Sequence, residues 1–203
     1  MRSFLLNMMS GDRTGRLLKH VPSAAAGGGG KTTEVLTALW YANGVAVAHD
    51  EQSVLVVETM GFRVIRHWIA GPKAGTSTTL IEHLPGFPDG ITRSSDGNYW
   101  LCLVAPLSPL VKLLPLGSTV RYALSHLLTT SLTKHFVKTW GCVIKLSPEG
   151  KVLATMMDPT GAHVSSVSAV TEFEGSLFLG NLQGDFVSML SLEDVVTAQK
   201  TPP

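Results

Sequence analysis

Along most of the chain, apolar residues gather in short runs rich in Val, Ile, Leu and aromatics, broken at regular intervals by polar turns. This is the pattern of an all-β protein. The runs predict strands at residues 34–41, 44–48, 53–58, 62–68, 78–81, 90–93, 98–104, 141–146, 151–156, 165–171, 176–180 and 186–190. Between them stand His49-Asp50-Glu51-Gln52, Ser94-Ser95-Asp96-Gly97, Pro148-Glu149-Gly150 and Glu174-Gly175, each with the Asp, Gly or Pro that a chain reversal uses. Residues 107–140 depart from this pattern. There Val120, Leu124, Leu127, Leu128, Leu132, Phe136 and Val137 recur at three- and four-residue spacing, which predicts an amphipathic helical insert.

The strands repeat. Asn43-Gly44-Val45, with Asp50 following and then Ser53-Val54-Leu55-Val56-Val57, matches Asp89-Gly90-Ile91, with Asp96 following and then Asn98-Tyr99-Trp100-Leu101. A third copy ends in Glu174-Gly175-Ser176-Leu177-Phe178-Leu179. The first two copies lie 46 residues apart, the period of a four-stranded propeller blade. The second and third lie about 78 apart, and the insert accounts for the surplus.

Composition narrows the function classes. Only 15% of the 203 residues are charged, against roughly 25% in an average soluble domain, so the chain is folded rather than disordered. A net charge of +1 gives no global field for nucleic acid or an acidic partner. Charge is uneven, however. No acidic residue occurs between Asp96 and Glu149, while Lys112, Arg121, Lys134, Lys138 and Lys145 do. The insert therefore either packs on the β-body or docks on a membrane surface through an apolar face flanked by basic residues. The opening run Phe4-Leu5-Leu6 is too short for a signal-peptide core, and no apolar stretch is long enough for a spanning helix. Cys102 and Cys142 lack metal-binding spacing and are expected as buried thiols, or as one disulfide between neighbouring strands.

Several candidate chemistries fall away. Gly27-Gly28-Gly29-Gly30-Lys31-Thr32 ends like a phosphate-binding loop, but Ala25 stands at the required first glycine, and neither a strand before nor a helix after is indicated. A long hairpin loop is expected instead. His20, His49, His67, His83, His126, His135 and His163 are scattered, without the pairing of a zinc hydrolase, and no Gly-x-Ser-x-Gly elbow occurs. Asn43 and Asp89 stand out because they hold equivalent repeat positions. In a propeller such positions converge on one axis, and Asn and Asp oxygens are what a Ca²⁺ site uses. Against this, Asn-Gly and Asp-Gly are ordinary turn dipeptides.

Specific strings then resemble a known family. Gly15-Arg16-Leu17-Leu18-Lys19, Trp40-Tyr41-Ala42-Asn43-Gly44-Val45-Ala46, Glu58-Thr59 with Arg63-Val64-Ile65-Arg66, Gly71-Pro72-Lys73-Ala74-Gly75 and Leu84-Pro85-Gly86-Phe87-Pro88-Asp89-Gly90-Ile91 look like the strictosidine synthase-like family. The insert and the stretch from 150 to 190 most resemble its adipocyte plasma membrane-associated branch. The resemblance implies a six-bladed β-propeller, akin to calcium-dependent ester and lactone hydrolases, with Asn43 and Asp89 matching two calcium-ligand positions. It puts Ser168 where the family's catalytic glutamate belongs, and a lone serine hydroxyl is no base near neutral pH. Strictosidine formation is thus not expected, and arylesterase-like hydrolysis is. A non-catalytic interaction propeller, or an inactive shortened member, is the alternative.

At about 46 residues a blade, six blades need roughly 280 residues. The resemblance thus implies three to four blades: residues 1–20 a remnant of an earlier blade, 21–33 a low-complexity loop, 34–192 the propeller repeats with the insert at 107–140, and 193–203 a tail. It further implies an ester or lactone substrate and endomembrane or membrane-associated localisation, with a membrane surface met through 107–140. The near-zero net charge argues for no nucleic acid, and the open propeller edge calls for a partner chain to cover it.

Overall fold

The computed structural model describes residues 10–24, 28–107, 109, 111, 116–127 and 139–194. Its architecture is four antiparallel sheets met in chain order. A hairpin of β1 (Gly15–Val21) and β2 (Lys31–Leu39) comes first. A four-stranded sheet follows, from β3 (Ala42–Val47), β4 (Ser53–Glu58), β5 (Arg63–Trp68) and β6 (Ser77–Ile81). The next has β7 (Gly86–Arg93), β8 (Tyr99–Pro106), β9 (Gly141–Leu146) and β10 (Val152–Asp158) in the same meander order. The last has β11 (Val167–Phe173), β12 (Ser176–Asn181) and β13 (Ser188–Ser191). These are the stacked meanders of an incomplete β-propeller, and the last three sheets are called blades A, B and C below.

Burial explains why the central strands read as continuous apolar runs rather than as clean alternation. Every residue of β4 is buried, because it faces a neighbour on both sides. Leu55 and Val57 enter the core shared with blade B, which also holds Tyr99, Leu101, Leu103 and Ile144. Val54 and Val56 turn the other way and pack with Leu39, near Leu17 and Leu36 of the hairpin. On β8, Trp100 and Cys102 leave the first core for a second one shared with blade C, with Val167, Val170, Leu177 and Leu179.

Polar ties lock the same stack. Arg66 donates to the Pro148 carbonyl at 2.6 Å and the His49 N–H to the Tyr99 hydroxyl at 3.2 Å, joining A to B. Ser94 Oγ at 2.7 Å and Trp100 Nε1 at 2.6 Å both donate to Glu172, joining B to C.

Several expectations need adjusting. β1, most of it within residues 1–20, forms a hairpin with β2, and Gly28, Gly29 and Gly30 lie in its connection. β7 begins at Gly86 rather than 90 and carries register shifts around Pro88. Within the insert, α1 (Ser118–Leu127) is helical as its periodicity predicts. Lys112 and the stretch 128–138, with Leu128, Leu132, Lys134, His135, Phe136, Val137 and Lys138, lie outside the described residues, as do 195–203 of the tail.

Candidate functional site

The inner strands β3, β7 and β11 run side by side, and each offers one polar residue at the same height: Asn43, Asp89 and Ser168. The residues that follow make this closeness possible. A Cβ on Gly44 would stand 2.4 Å from the Asp89 carbonyl oxygen, and one on Gly90 would stand 2.4 Å from that of Ser168. No side chain fits there, so glycine is required by close approach of backbone. Asn43-Gly44 and Asp89-Gly90 therefore lie inside strands, and the turn reading of these dipeptides does not hold.

Asn43 and Asp89 are brought together. The Asn43 amide lies close enough to the Asp89 carboxylate to favour its charged form. Partial burial of Asp89 strips water from that carboxylate and outweighs the effect of Asn43, so its pKa is pushed up to about 6. None of the ion pairs among the described residues involves Asp89. A desolvated carboxylate beside a neutral amide is a hard-oxygen pair suited to a cation, which fits the chemistry of Ca²⁺. The number of donors is short of the six to eight that calcium takes. Among the described residues no group of three His, Cys, Asp or Glu could hold a metal.

Thr59, which stands in the sequence only as part of a family string, completes the arrangement. It opens a short 3₁₀ turn, Thr59–Gly61, directly after β4. Its hydroxyl donates to the Pro88 carbonyl at 2.7 Å and accepts from Asn43 Nδ2 at 3.3 Å. The turn is held by its neighbour Glu58, 1% exposed, which pairs with Arg63 Nε at 2.5 Å and accepts the Trp40 N–H at 2.6 Å. Glu58, Thr59 and Arg63 thus brace the site from behind. No local signal marks this beyond a charged pair flanking a glycine.

The cysteines resolve clearly. Cys102 lies opposite Val143 and Cys142 opposite Leu103 on paired strands β8 and β9, so the two thiols point to opposite faces of the sheet. Each enters a different core, and both are free. Burial pushes the Cys142 thiol up to about 12. Burial raises Cys102 further, with help from the nearby Asp89 charge, so neither is a nucleophile at neutral pH.

Comparison with known proteins agrees with this geometry at the level of family and fold. The family model described as strictosidine synthase matches residues 1–72. Strictosidine synthase-like 10 of Arabidopsis thaliana is 36% identical over 195 residues, 94% of this chain and 50% of that protein. The adipocyte plasma membrane-associated protein of Bos taurus is 32% identical over 195 residues, covering 94% of this chain and 46% of that one. A solved gluconolactonase from Xanthomonas campestris superposes with a TM-score of 0.51 at 16% identity, over 80% of this chain and 41% of that one. The chain spans about half the length of the curated relatives it matches. Strands, repeat positions and sequence thus agree, over the part the chain holds, in their similarity to the strictosidine synthase-like family.

Proposed function

We propose that this chain carries part of the cation site of a propeller hydrolase that opens esters or lactones, with Asn43 and Asp89 as two oxygen ligands of Ca²⁺. What supports it most is the half-buried Asp89 carboxylate set beside Asn43 where strands β3 and β7 approach closely, its pKa pushed up to about 6 by burial. A cation held there would polarise a substrate carbonyl. The protein's own part is to hold the carboxylate dehydrated and the Asn43 amide aligned. Ser168, on the adjacent inner strand, has the position of the family's glutamate without its basicity, so the condensation of a true strictosidine synthase is not proposed. The same fold serves a protein described as a gluconolactonase, which is in keeping with lactone opening.

Thermal unfolding with Ca²⁺ and with chelator, alongside aryl-ester turnover, tests this. Calcium at a hundred times its Kd should stabilise the wild type by about 2.7 kcal/mol. Asn43→Ala with Asp89→Ala should abolish both the shift and the chelator-sensitive turnover. An equal calcium shift in the double variant would rule out these ligands.

A second reading, a propeller that rests on a membrane, is favoured by the name of the adipocyte plasma membrane-associated relatives and by α1, on which Val120 and Tyr122 are exposed. No helix of the described residues is long and apolar enough to cross a membrane. Arg121 donates to the carbonyls of Leu116 and Ser10, so its charge is already engaged with the protein. The test therefore rests on the lysines. At about 1 kcal/mol per cation near an anionic surface, replacing Lys112, Lys134 and Lys138 by Gln should weaken binding to phosphatidylserine vesicles roughly 100-fold. Binding that ignores both the substitutions and added salt would count against this surface.

A further inference from the structure

We propose that Thr59 is the positioning residue of the site: its hydroxyl fixes which way the Asn43 side-chain amide faces. The geometric part stands alone, and its consequence for Ca²⁺ rests on the cation reading above.

A hydroxyl has one hydrogen to give. That of Thr59 goes to the Pro88 carbonyl, at 2.7 Å, and the residue is 3% exposed, so no water competes for it. Toward Asn43 the same oxygen can only accept. The group of Asn43 that meets it must therefore be the NH₂, at 3.3 Å. With the NH₂ turned to Thr59, the amide oxygen Oδ1 faces the other way and is left as the group to meet a cation. Without the hydroxyl, the Asn43 NH₂ loses the acceptor it meets at 3.3 Å, and the flipped form becomes easier to adopt.

The turn that carries Thr59 is held on every side. The Thr59 N–H donates to the Tyr41 carbonyl at 3.1 Å and the Met60 N–H to that of Trp40 at 3.3 Å. Phe62 closes the turn in the left-handed region at φ 50°, its N–H returning to the Thr59 carbonyl at 3.3 Å. Glu58, the residue before Thr59, is clamped in turn by Arg63 and the Trp40 N–H. A Cβ on Gly61 would stand 2.5 Å from Glu58 Oε2, so even the glycine of this turn is needed by the clamp. Thr59 thus ties three elements at one point: the end of β4, Asn43 on β3, and the Pro88-Asp89 segment of β7.

The experiment compares Thr59→Val, which removes the hydroxyl at nearly constant volume, with Thr59→Ser, which keeps it. Calcium affinity is measured by titration calorimetry on the full chain. The side-chain NH₂ signals of Asn43, identified by their loss in Asn43→Asp, are followed by ¹⁵N NMR in chelator. Groups that orient metal ligands typically cost 10- to 100-fold in affinity when removed, so Val should weaken Ca²⁺ by that factor and Ser should stay near wild type. In chelator, the wild type and Ser should show two separate NH₂ proton signals that exchange slowly with water, and Val should show faster exchange. Unchanged NH₂ signals in Val would overturn the proposal whatever calcium does. A wild type that binds no Ca²⁺ would sink the cation reading, while the NH₂ comparison still decides the orientation. If Val fails to fold, Thr59→Ala removes the same hydroxyl without a branched side chain and is read in the same way.

Discussion

Three acids in this chain show how residue type alone fails to fix behaviour. Glu58 is buried and clamped by a guanidinium, Asp89 is half-buried beside an uncharged amide, and Glu172 is met by four donors. For Glu172, partial burial alone would raise the pKa, but bonds from Ser95, Trp100 and Ser94 outweigh it and hold the carboxyl below the usual range. The linkage sign follows from that depression. The folded state favours the charged form, so the contribution to stability is full above the ordinary glutamate range and is lost as pH falls below that range through the lowered folded-state pKa. Glu172→Gln keeps the shape but removes the charge, and should cost about 1–2 kcal/mol at pH 7, at the low end for charged hydrogen bonds because the group is partly solvated. Urea unfolding should show the two proteins converging as pH falls below the ordinary glutamate range. A gap that stays constant as the pH is lowered would mean that the charge of Glu172 contributes nothing.

At the scale of the element, much of the fold is legible because both faces of the central strands are covered. Ser53-Val54-Leu55-Val56-Val57 and Tyr99-Trp100-Leu101-Cys102-Leu103 read as strands from apolar density alone, and 53–58 and 141–146 match to the residue. The misses have physical causes. Pro88-Asp89-Gly90 carries three turn-forming residues in a row, yet lies within β7, because register shifts on either side of Pro88 absorb its missing N–H. Lys31-Thr32-Thr33 looks like loop but pairs with Val21, His20 and Lys19 in an exposed hairpin that no apolar alternation announces. The site was half legible. Asn43 and Asp89 could be picked out from the repeat, since equivalent positions in equivalent blades must converge. Thr59 could not, because its role depends on a contact to Pro88 29 residues away that periodicity does not encode.

At the scale of the whole molecule, the two interfaces between blades are unequal. The A–B core holds Leu55, Val57, Tyr99, Leu101, Leu103, Trp140 and Ile144, backed by the Arg66–Pro148 and His49–Tyr99 ties. The B–C core is smaller, and beside it lies a cleft of about 190 Å³ lined by Met156, Val164, Val167 and Leu190. Blade C also leaves large apolar side chains in solvent, with Phe173 60% and Met189 69% exposed. Fewer buried contacts mean a lower free energy of local opening, so blade C should be a separate, weaker cooperative unit. Leu177 and Leu101 are both fully buried, the first in the B–C core and the second in the A–B core, so the same truncation probes each interface. Either change to Ala should cost about 2–5 kcal/mol. Native-state hydrogen exchange should then separate them. Leu177→Ala should release amides of β11, β12 and β13 and leave β4 and β5 protected, whereas Leu101→Ala should lower protection in blades A, B and C together. Equal loss in both variants would mean that the blades open as one body. The site lies on the seam that this experiment probes, because Gly90 meets the Ser168 carbonyl there. A blade C that opens alone would leave Asn43, Thr59 and Asp89 in place on the stable side and remove only Ser168.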